Sequence, residues 1–331
     1  MRNAFIRSLL AAASLAVLST APALAADKLV FMTDWLPGGD KAIPFYGMKK
    51  GIFAAEGLEV TVQSARGSSE ALTKIGTGTA DVGSGGLAAL LQARAETSIP
   101  VKAIAGVFTV QPDALFTIEG SPIKTLKDVE GRKVATATFT SSNVIWPVML
   151  KTNNVDAAKV NLVKVDPAAL VGLLATGQAD ATINWTTASP PFIKALAESG
   201  KKLKMMPWSE YGFDGYGYSL FASEKLIAEK PDVLKRFTKA YLKTIELALK
   251  DKNDVAKTMK EIFPEMDVAL VVQQFETIIP LIDNEISKTE GIGALDKTRL
   301  AKTWEWTAKS QDMPLNKIDP EKAIDRSFLP K

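Results

Sequence analysis

The order of apolar and polar residues along this chain switches repeatedly between the period of a strand and that of a helix. Residues 28–33 (KLVFMT) and 58–63 (LEVTVQ) are short apolar or alternating runs, as expected of strands, and helical spacing of apolar residues follows. Strands that alternate with helices at this pace indicate largely parallel sheets covered by helices. Beyond residue 231 the pattern is mostly helical, and its apolar stripe predicts core packing.

Two segments of the chain nearly repeat each other. Residues 71–82 read ALTKIGTGTADV and residues 170–181 read LVGLLATGQADA, with Thr-Gly-x-Ala-Asp shared between them. Each segment predicts a helix, a glycine where the helix ends and a left-handed residue costs least, and then a short strand. Their offset is far longer than a solenoid repeat. The chain is therefore predicted to form two similar α/β lobes, an arrangement that commonly holds a ligand between them.

Residues 1–25 have the organisation of a secretory signal peptide. Two arginines precede an apolar run at 9–18, and an A-x-A cleavage signal occupies 23–25. The apolar run is shorter than a membrane span. We expect cleavage near Ala25/Ala26, export to the periplasm and no lipid anchor, because no cysteine follows the cleavage signal.

The composition narrows the chemistry. The chain has 40 Lys and Arg against 37 Asp and Glu, and its basic residues form no stripe interleaved with aromatics, which argues against nucleic-acid binding. It has no Cys and no His, so disulfides, the usual general base and the commonest metal ligand are missing. We expect no catalytic residue, no metal site and no cofactor.

A glycine-rich segment, Gly83 to Ala88 (GSGGLA), fits the G-x-G-x-x-A dinucleotide pattern between a strand and a helix. The next predicted strand lacks the acidic residue that such a site needs for the ribose, so the nucleotide interpretation is weak. Gly85 and Gly86 would let a ligand approach the backbone closely. A tight turn with no ligand explains the glycines equally well.

Hydroxyl and aromatic side chains cluster where predicted strands end. Helix starts rich in Ser and Thr occur in both halves, at 67–69 and 140–143, where open α/β sheets bind ligands. Trp35 and Trp185 each follow a predicted strand, flanked by Asp34 and Asn184 respectively. Such rings could form the wall of a site for a planar ligand.

These motifs together resemble a known family, the periplasmic substrate-binding proteins of ABC importers related to thiamine-precursor, taurine, alkanesulfonate and nitrate binders. The resemblance covers essentially the whole mature chain. The residues that carry it are Asp34-Trp35-x-Pro37, Phe45-Tyr46, Lys50-Gly51-Ile52-Phe53, Glu56-Gly57-Leu58-Glu59-Val60, Gly78-x-Ala80-Asp81-Val82-Gly83, Leu126-Lys127-Asp128-Val129-Glu130-Gly131-Arg132-Lys133-Val134 and Gly177-x-Ala179-Asp180-Ala181.

The resemblance implies a type II periplasmic-binding-protein fold, with two α/β lobes whose mixed, mostly parallel sheets are joined by a two-strand hinge. Residues 27–112 and 215–331 would form the first lobe and 113–214 the second, with crossings near 113–118 and 215–222. By similarity, the ligand contacts would be Trp35, Tyr46, Ser68, Ser69, Gly85, Gly86, Thr140, Ser141, Ser142, Asn184 and Trp185, with Asp214 and Tyr216 at the hinge.

The chain departs from two members of that group. Thiamine-pyrimidine binders resembling it commonly carry a His in the loop after Asp-Trp-x-Pro, where this chain has Asp40 and Lys41. Yeast-type thiamine pyrimidine synthases depend on His and Cys residues that this sequence lacks. The first departure argues against assigning a thiamine-type ligand to this chain, and the second argues against assigning it the synthase reaction.

The expected function is that of an extracytoplasmic receptor, a monomer that closes its lobes on a small molecule and delivers it to a membrane permease with its ATPase. The aromatic residues favour a planar heterocycle such as a pyrimidine. A sulfonate, taurine or nitrate-type anion, held by the helix starts and Arg66, is the alternative. An exported enzyme or a sensor subunit on the same fold is a further alternative.

Overall fold

The protein is described by a computed structural model that covers residues 25–330, so the predicted signal peptide, up to residue 24, lies outside the described residues. Within residues 25–330, ten strands form two five-stranded sheets. Their bounds are β1 Asp27–Thr33, β2 Leu58–Ser64, β3 Val82–Gly86, β4 Val101–Gly106, β5 Asp113–Ile118, β6 Lys133–Ala137, β7 Asn161–Val165, β8 Ala181–Trp185, β9 Leu203–Pro207 and β10 Tyr218–Ser223.

The two sheets have the same topology. Their strand orders are β2-β1-β3-β10-β4 and β7-β6-β8-β5-β9, so each contains one antiparallel strand, β10 or β5, fourth in the order. The pairs β1–β2, β1–β3, β6–β7 and β6–β8 are parallel. The predicted pair of mixed, mostly parallel sheets is confirmed. We call the first sheet with its helices the first lobe and the other the second lobe.

Helices cover both sheets, and the amphipathic pattern of the C-terminal half is confirmed. The helices are α1 Ala42–Lys49, α2 Ile52–Ala55, α3 Ser68–Gly76, α4 Leu87–Thr97, α5 Ser142–Thr152, α6 Leu170–Ala175, α7 Ser189–Ala197, α8 Glu224–Glu229, α9 Pro231–Lys250, α10 Lys252–Ile262, α11 Val268–Ile282, α12 Glu285–Glu290 and α13 Lys297–Ser310. Phe237, Tyr241 and Ile245 of α9 are fully buried, as the stripe predicted. Within residues 25–330 no helix is long and apolar enough to cross a membrane.

The repeated motif has the same structure in both lobes. Gly78 and Gly177 adopt left-handed conformations, with φ of 80° and 74°, where a side chain would be strained. The Asp81 carboxylate accepts a hydrogen bond from the Val30 amide at 2.8 Å, and that of Asp180 accepts one from the Lys133 amide at 2.8 Å. The motif therefore ends a helix and ties the following strand to its neighbour, which is a structural role.

The links between the lobes lie beside the first segment predicted as a crossing and overlap the second. Residues 113–118 and 215–222, predicted as crossings, lie largely in β5 and β10, because these apolar segments pair with a strand on each side. The crossing segments come just before them, at 107–112 and 208–217. The predicted lobe boundaries fall at the end of the first link and within the second.

The lobes touch each other on both sides of the space between the sheets. On one side α13 packs against α5, where the Ser310 hydroxyl accepts a hydrogen bond from the Val148 amide at 3.1 Å. On the other, the Ser69 amide at the start of α3 donates to the Phe139 carbonyl of the second lobe at 3.0 Å. The arrangement is that of a closed cleft.

Candidate ligand-binding cleft

A cavity with about 350 Å³ of atom-free space, part of it open to solvent, lies between the two sheets, at the carboxyl ends of β1, β6 and β8. Open α/β sheets place ligands at this edge, because loops that follow neighbouring strands converge there. Both lobes contribute to its walls. The lining residues are Asp34, Trp35, Asp40, Lys41, Ser68, Thr140, Asn184, Trp185, Thr187 and Ala188.

A buried ion pair forms one wall of the cavity. The Lys41 ammonium lies 3.0 Å from the Asp34 carboxylate, and both side chains are at most 4% exposed. The same ammonium is 4.4 Å from the centre of the Trp185 ring and 4.5 Å from that of Tyr218, so a lysine of the first lobe contacts a ring of the second. Ser68 donates a hydrogen bond to Asp34 at 3.0 Å. Sequence reasoning did not place Lys41 in the site.

Asp40 presents a second buried carboxylate to the cavity. Burial raises its pKa to about 6, although the neighbouring Lys41 charge and the Thr187 hydroxyl oppose the shift. That hydroxyl, from the second lobe, donates to Asp40 Oδ2 at 3.2 Å. At neutral pH the Asp40 carboxyl is largely ionised and acts as a hydrogen-bond acceptor from either lobe's donors or from a ligand.

Asp113 supports the cleft from behind. Its Oδ1 accepts hydrogen bonds from the Ser142 hydroxyl at 2.5 Å and from the Trp185 indole nitrogen at 3.1 Å. Burial raises the Asp113 pKa to about 6, and these two donors pull it in the other direction. The carboxyl therefore fixes the orientation of the Trp185 ring without itself lining the cavity.

Asn184 carries an unsatisfied acceptor. Its side-chain nitrogen donates to the Thr182 hydroxyl at 2.7 Å, whereas Oδ1 is buried and has no partner among residues 25–330. A buried acceptor without a partner costs about 1–3 kcal/mol. In a residue that lines the cavity, this acceptor is a reason to expect a ligand donor opposite it.

The polar groups at the helix starts are used within the protein. At the start of α3, the Ser68 hydroxyl accepts a hydrogen bond from the Gly86 amide at 3.0 Å. The Ser69 amide of the same helix donates to the Phe139 carbonyl. At the start of α5 the Ser142 amide donates to the Thr140 hydroxyl at 3.4 Å. These groups hold the lobes and loops in place, which leaves the helix starts poorly suited to bind an anion.

Five of the predicted contacts line the cavity and four lie directly behind it. Those in the lining are Trp35, Ser68, Thr140, Asn184 and Trp185. Those behind it are Gly85, Gly86, Ser141 and Ser142, all buried, with Gly86 facing Ser141 across the lobe boundary. Ser69 is exposed at the edge of the cleft, where its amide bridges the lobes.

The remaining three predicted residues are not in the cavity lining either. The Tyr46 hydroxyl donates to Asp254 at 2.8 Å, within the first lobe. Asp214 pairs with Arg299 at 2.6 Å, and the Tyr216 hydroxyl accepts from the Asp296 amide at 2.6 Å. Each of these side chains stabilises packing around the hinge or the core instead.

Arg66 also lies outside the lining. Its side chain pairs with Glu70 at 3.3 Å and its guanidinium lies over the Phe139 ring. The lining residues that sequence reasoning left out are Asp34, Asp40, Lys41, Thr187 and Ala188. For Asp34, Asp40 and Lys41, the sequence offered one indication of a place in the site, which is that they lie near Trp35 in the segment that follows β1.

Comparison with known proteins is consistent with this architecture. A riboflavin-binding protein, RibY, of Chloroflexus aurantiacus is 22% identical over 87% of this chain and 82% of its own length. A putative thiamine biosynthesis protein of Haemophilus influenzae is 24% identical over 69% of this chain and 70% of its own.

A solved structure shares the fold. The alkanesulfonate-binding protein SsuA of Xanthomonas axonopodis pv. citri, bound to MOPS, superposes with a TM-score of 0.71 at 15% identity, covering 92% of this chain and all of that one. The family model described as NMT1/THI5 like matches residues 40–254, well over half of the chain. The two-lobed protein with its interlobe cavity therefore belongs to the NMT1/THI5-like family.

Proposed function

We propose that this protein is the solute-binding component of an ABC-type importer and that its ligand is a planar heterocycle with hydrogen-bond donors. The observation that carries the proposal is the charge of the cavity lining. Among the described residues, the lining contains two buried carboxylates, Asp34 and Asp40, and a single cation, Lys41, which already pairs with Asp34. A ligand that donates hydrogen bonds is matched to such a site, whereas an added anion is not.

The unpaired Asn184 oxygen also favours a ligand with hydrogen-bond donors, because it is a further acceptor in the lining that contains Asp40. Trp35 and Trp185 also line the cavity, one from each lobe, and supply flat apolar surface. A ring with an amino or imino edge would meet both carboxylate and amide oxygens while its faces contact indole. Pyrimidine-like ligands fit this description.

The relatives support both candidate ligand classes in different ways. Riboflavin, named for one relative, and thiamine, named for another, both contain a pyrimidine ring. The sulfonate-binding neighbour supports the alternative of a small anion. We rank the anion second because the helix-start amides and Arg66 are engaged in contacts within the protein.

The proposed cycle uses the two lobes as a clamp. Ligand bound to the open form would bring Asp40 and Thr187, or Lys41 and Trp185, together across the cleft and shift the hinge equilibrium toward closure. The closed form would then be presented in the periplasm to a permease and its ATPase. Since the chain has no His or Cys, the usual nucleophile–base pairs are missing, and we propose binding without turnover.

The decisive experiment compares Asp40→Asn with wild type against two ligand classes, 4-aminopyrimidines and alkanesulfonates, by titration calorimetry. Loss of the carboxylate should weaken aminopyrimidine binding at least tenfold, since hydrogen bonds to charged groups are worth about 1.5–3 kcal/mol. Asp232→Asn, at a side chain that is 90% exposed, is the matched control and should bind as wild type does. Sulfonate binding that improves in Asp40→Asn, with no aminopyrimidine bound by wild type, would overturn the proposal.

A further inference from the structure

A second, larger compartment lies beside the cavity and shares four of its lining residues. This outer compartment encloses about 630 Å³ of atom-free space, part of it open to solvent, and is larger than the inner cavity. It adjoins the inner cavity, because Trp35, Asp40, Asn184 and Ala188 line both. The shared residues include Asp40 and Asn184, the two acceptors on which the proposed function rests.

The outer compartment is chemically different from the inner one. Most of its wall is apolar, built mainly from Leu36, Pro37, Pro167, Leu170, Val171 and Phe192. Its polar side chains are the shared Asp40 and Asn184, together with Gln274, which accepts a hydrogen bond from the Gly39 amide at 3.0 Å. No Lys or Arg occurs among the described residues that line it. An apolar group is stabilised there, and a phosphate or carboxylate would be buried without a counter-charge.

We propose that the ligand has two parts, a donor-bearing ring in the inner cavity and an apolar ring or chain, attached or fused to it, in the outer compartment. This inference rests on the proposed function and specifies its substrate class: extended planar heterocycles without a charged tail. Asp40 and Asn184 hold the donor edge at the junction. The apolar wall formed by Pro167, Leu170 and Val171 contacts the second part.

The test uses three probes that share one head group: 4-amino-2-methylpyrimidine, the same ring with a benzyl group at carbon 5, and the same ring with a carboxymethyl group at carbon 5. Calorimetric titration of the wild-type protein should show the benzyl compound bound at least tenfold more tightly than the unsubstituted ring. The carboxymethyl compound should bind no more tightly than the unsubstituted ring.

A pair of variants then locates the second part of the ligand. Ala168 lines the outer compartment and is exposed, whereas the adjacent Ala169 is exposed but does not line it. Ala168→Trp should weaken benzyl-compound binding at least tenfold and leave the unsubstituted ring within about twofold of wild type. Ala169→Trp is the matched control and should leave both affinities unchanged. The wild-type comparison of probes stands by itself if a variant folds poorly.

The outcomes separate the two proposals. A bare ring that binds with no gain from the benzyl group, or an equal gain from carboxymethyl, overturns the two-part ligand and leaves the proposed function intact. No binding of any heterocycle, with sulfonates bound, overturns both. A benzyl gain that Ala168→Trp and Ala169→Trp reduce equally also contradicts the inference, because the second part would then lie elsewhere.

Discussion

Gly86 is the position at which closure of the cleft can be tested with a single methyl group. It lies at the end of β3 in the first lobe with φ of −70° and ψ of 130°, a conformation open to any residue. A Cβ placed there would meet the Ser141 hydroxyl and come within 2.6 Å of the Ser141 Cβ, across the lobe boundary. Gly86→Ala therefore obstructs closure without straining its own lobe.

The size of the effect follows from the overlap. Ordinary contacts of a Cβ begin near 3.4 Å, so the lobes must separate by about 0.8 Å or the loop that carries Ser141 must shift. Overpacking of this kind costs about 1–3 kcal/mol. If only the closed form pays this cost, ligand affinity falls about 5- to 150-fold. The open lobes should keep their stability, since alanine is favoured over glycine where the backbone allows it.

The assay is a ligand titration of four proteins: wild type, Gly86→Ala, Ser141→Gly and the double variant. Ser141→Gly removes the atoms that a Gly86 methyl would strike, so the double variant should recover most of the lost affinity, with a coupling energy of at least about 1 kcal/mol. Small-angle scattering should show Gly86→Ala more open in the presence of ligand. Affinity of Gly86→Ala within twofold of wild type would refute the reasoning.

Two further predictions concern the buried charges. Lys41→Met should destabilise the protein by about 3–5 kcal/mol in urea unfolding, because it leaves the Asp34 carboxylate buried without its partner, and adding Asp34→Asn should restore most of that loss. Burial raises the pKa of Asp113 from 3.8 to about 6, so between pH 3.8 and 6 the native state binds more protons than the unfolded state. The contribution of Asp113 to stability therefore falls as the pH rises through this window. Asp113→Asn keeps an acceptor for Ser142 and Trp185, and its stability relative to wild type should increase by about 2 kcal/mol from pH 4.5 to 7.5. A stability difference between Asp113→Asn and wild type that stays constant with pH would contradict titration of Asp113. A Lys41→Met, Asp34→Asn double variant no more stable than Lys41→Met would contradict the stabilising role of the ion pair.

The elements that sequence alone predicted well are those encoded by local patterns. The repeated Gly78 and Gly177 mark helix ends in both lobes, and their motif correctly indicated two similar sheets. Trp35 and Trp185 line the cavity because Trp35 lies just after β1 and Trp185 is the last residue of β8, and the carboxyl ends of these strands face each other. Short-range rules were sufficient in these cases.

The parts that sequence did not predict depend on distant partners. Asp214 and Tyr216 were predicted to contact the ligand at the hinge. In the structure Asp214 pairs with Arg299 of α13, and Tyr216 accepts a hydrogen bond from the Asp296 amide just before α13, both more than 75 positions away along the chain. Lys41 was treated as a departure from a family pattern because nothing local indicates that its charge is buried against Asp34 and two rings. Tertiary contacts decide such roles.

The central claim is that the cleft selects a donor-bearing heterocycle over an anion. The most direct test is calorimetric titration of the wild-type protein with aminopyrimidines and with alkanesulfonates under the same conditions, followed by recovery of the ligand. We expect saturable one-to-one binding of a heterocycle that is recovered unchanged, and a stabilisation of about 2.7 kcal/mol at a hundredfold excess over its Kd. Tight binding of sulfonates with no heterocycle bound, or conversion of the heterocycle into a product, would contradict it.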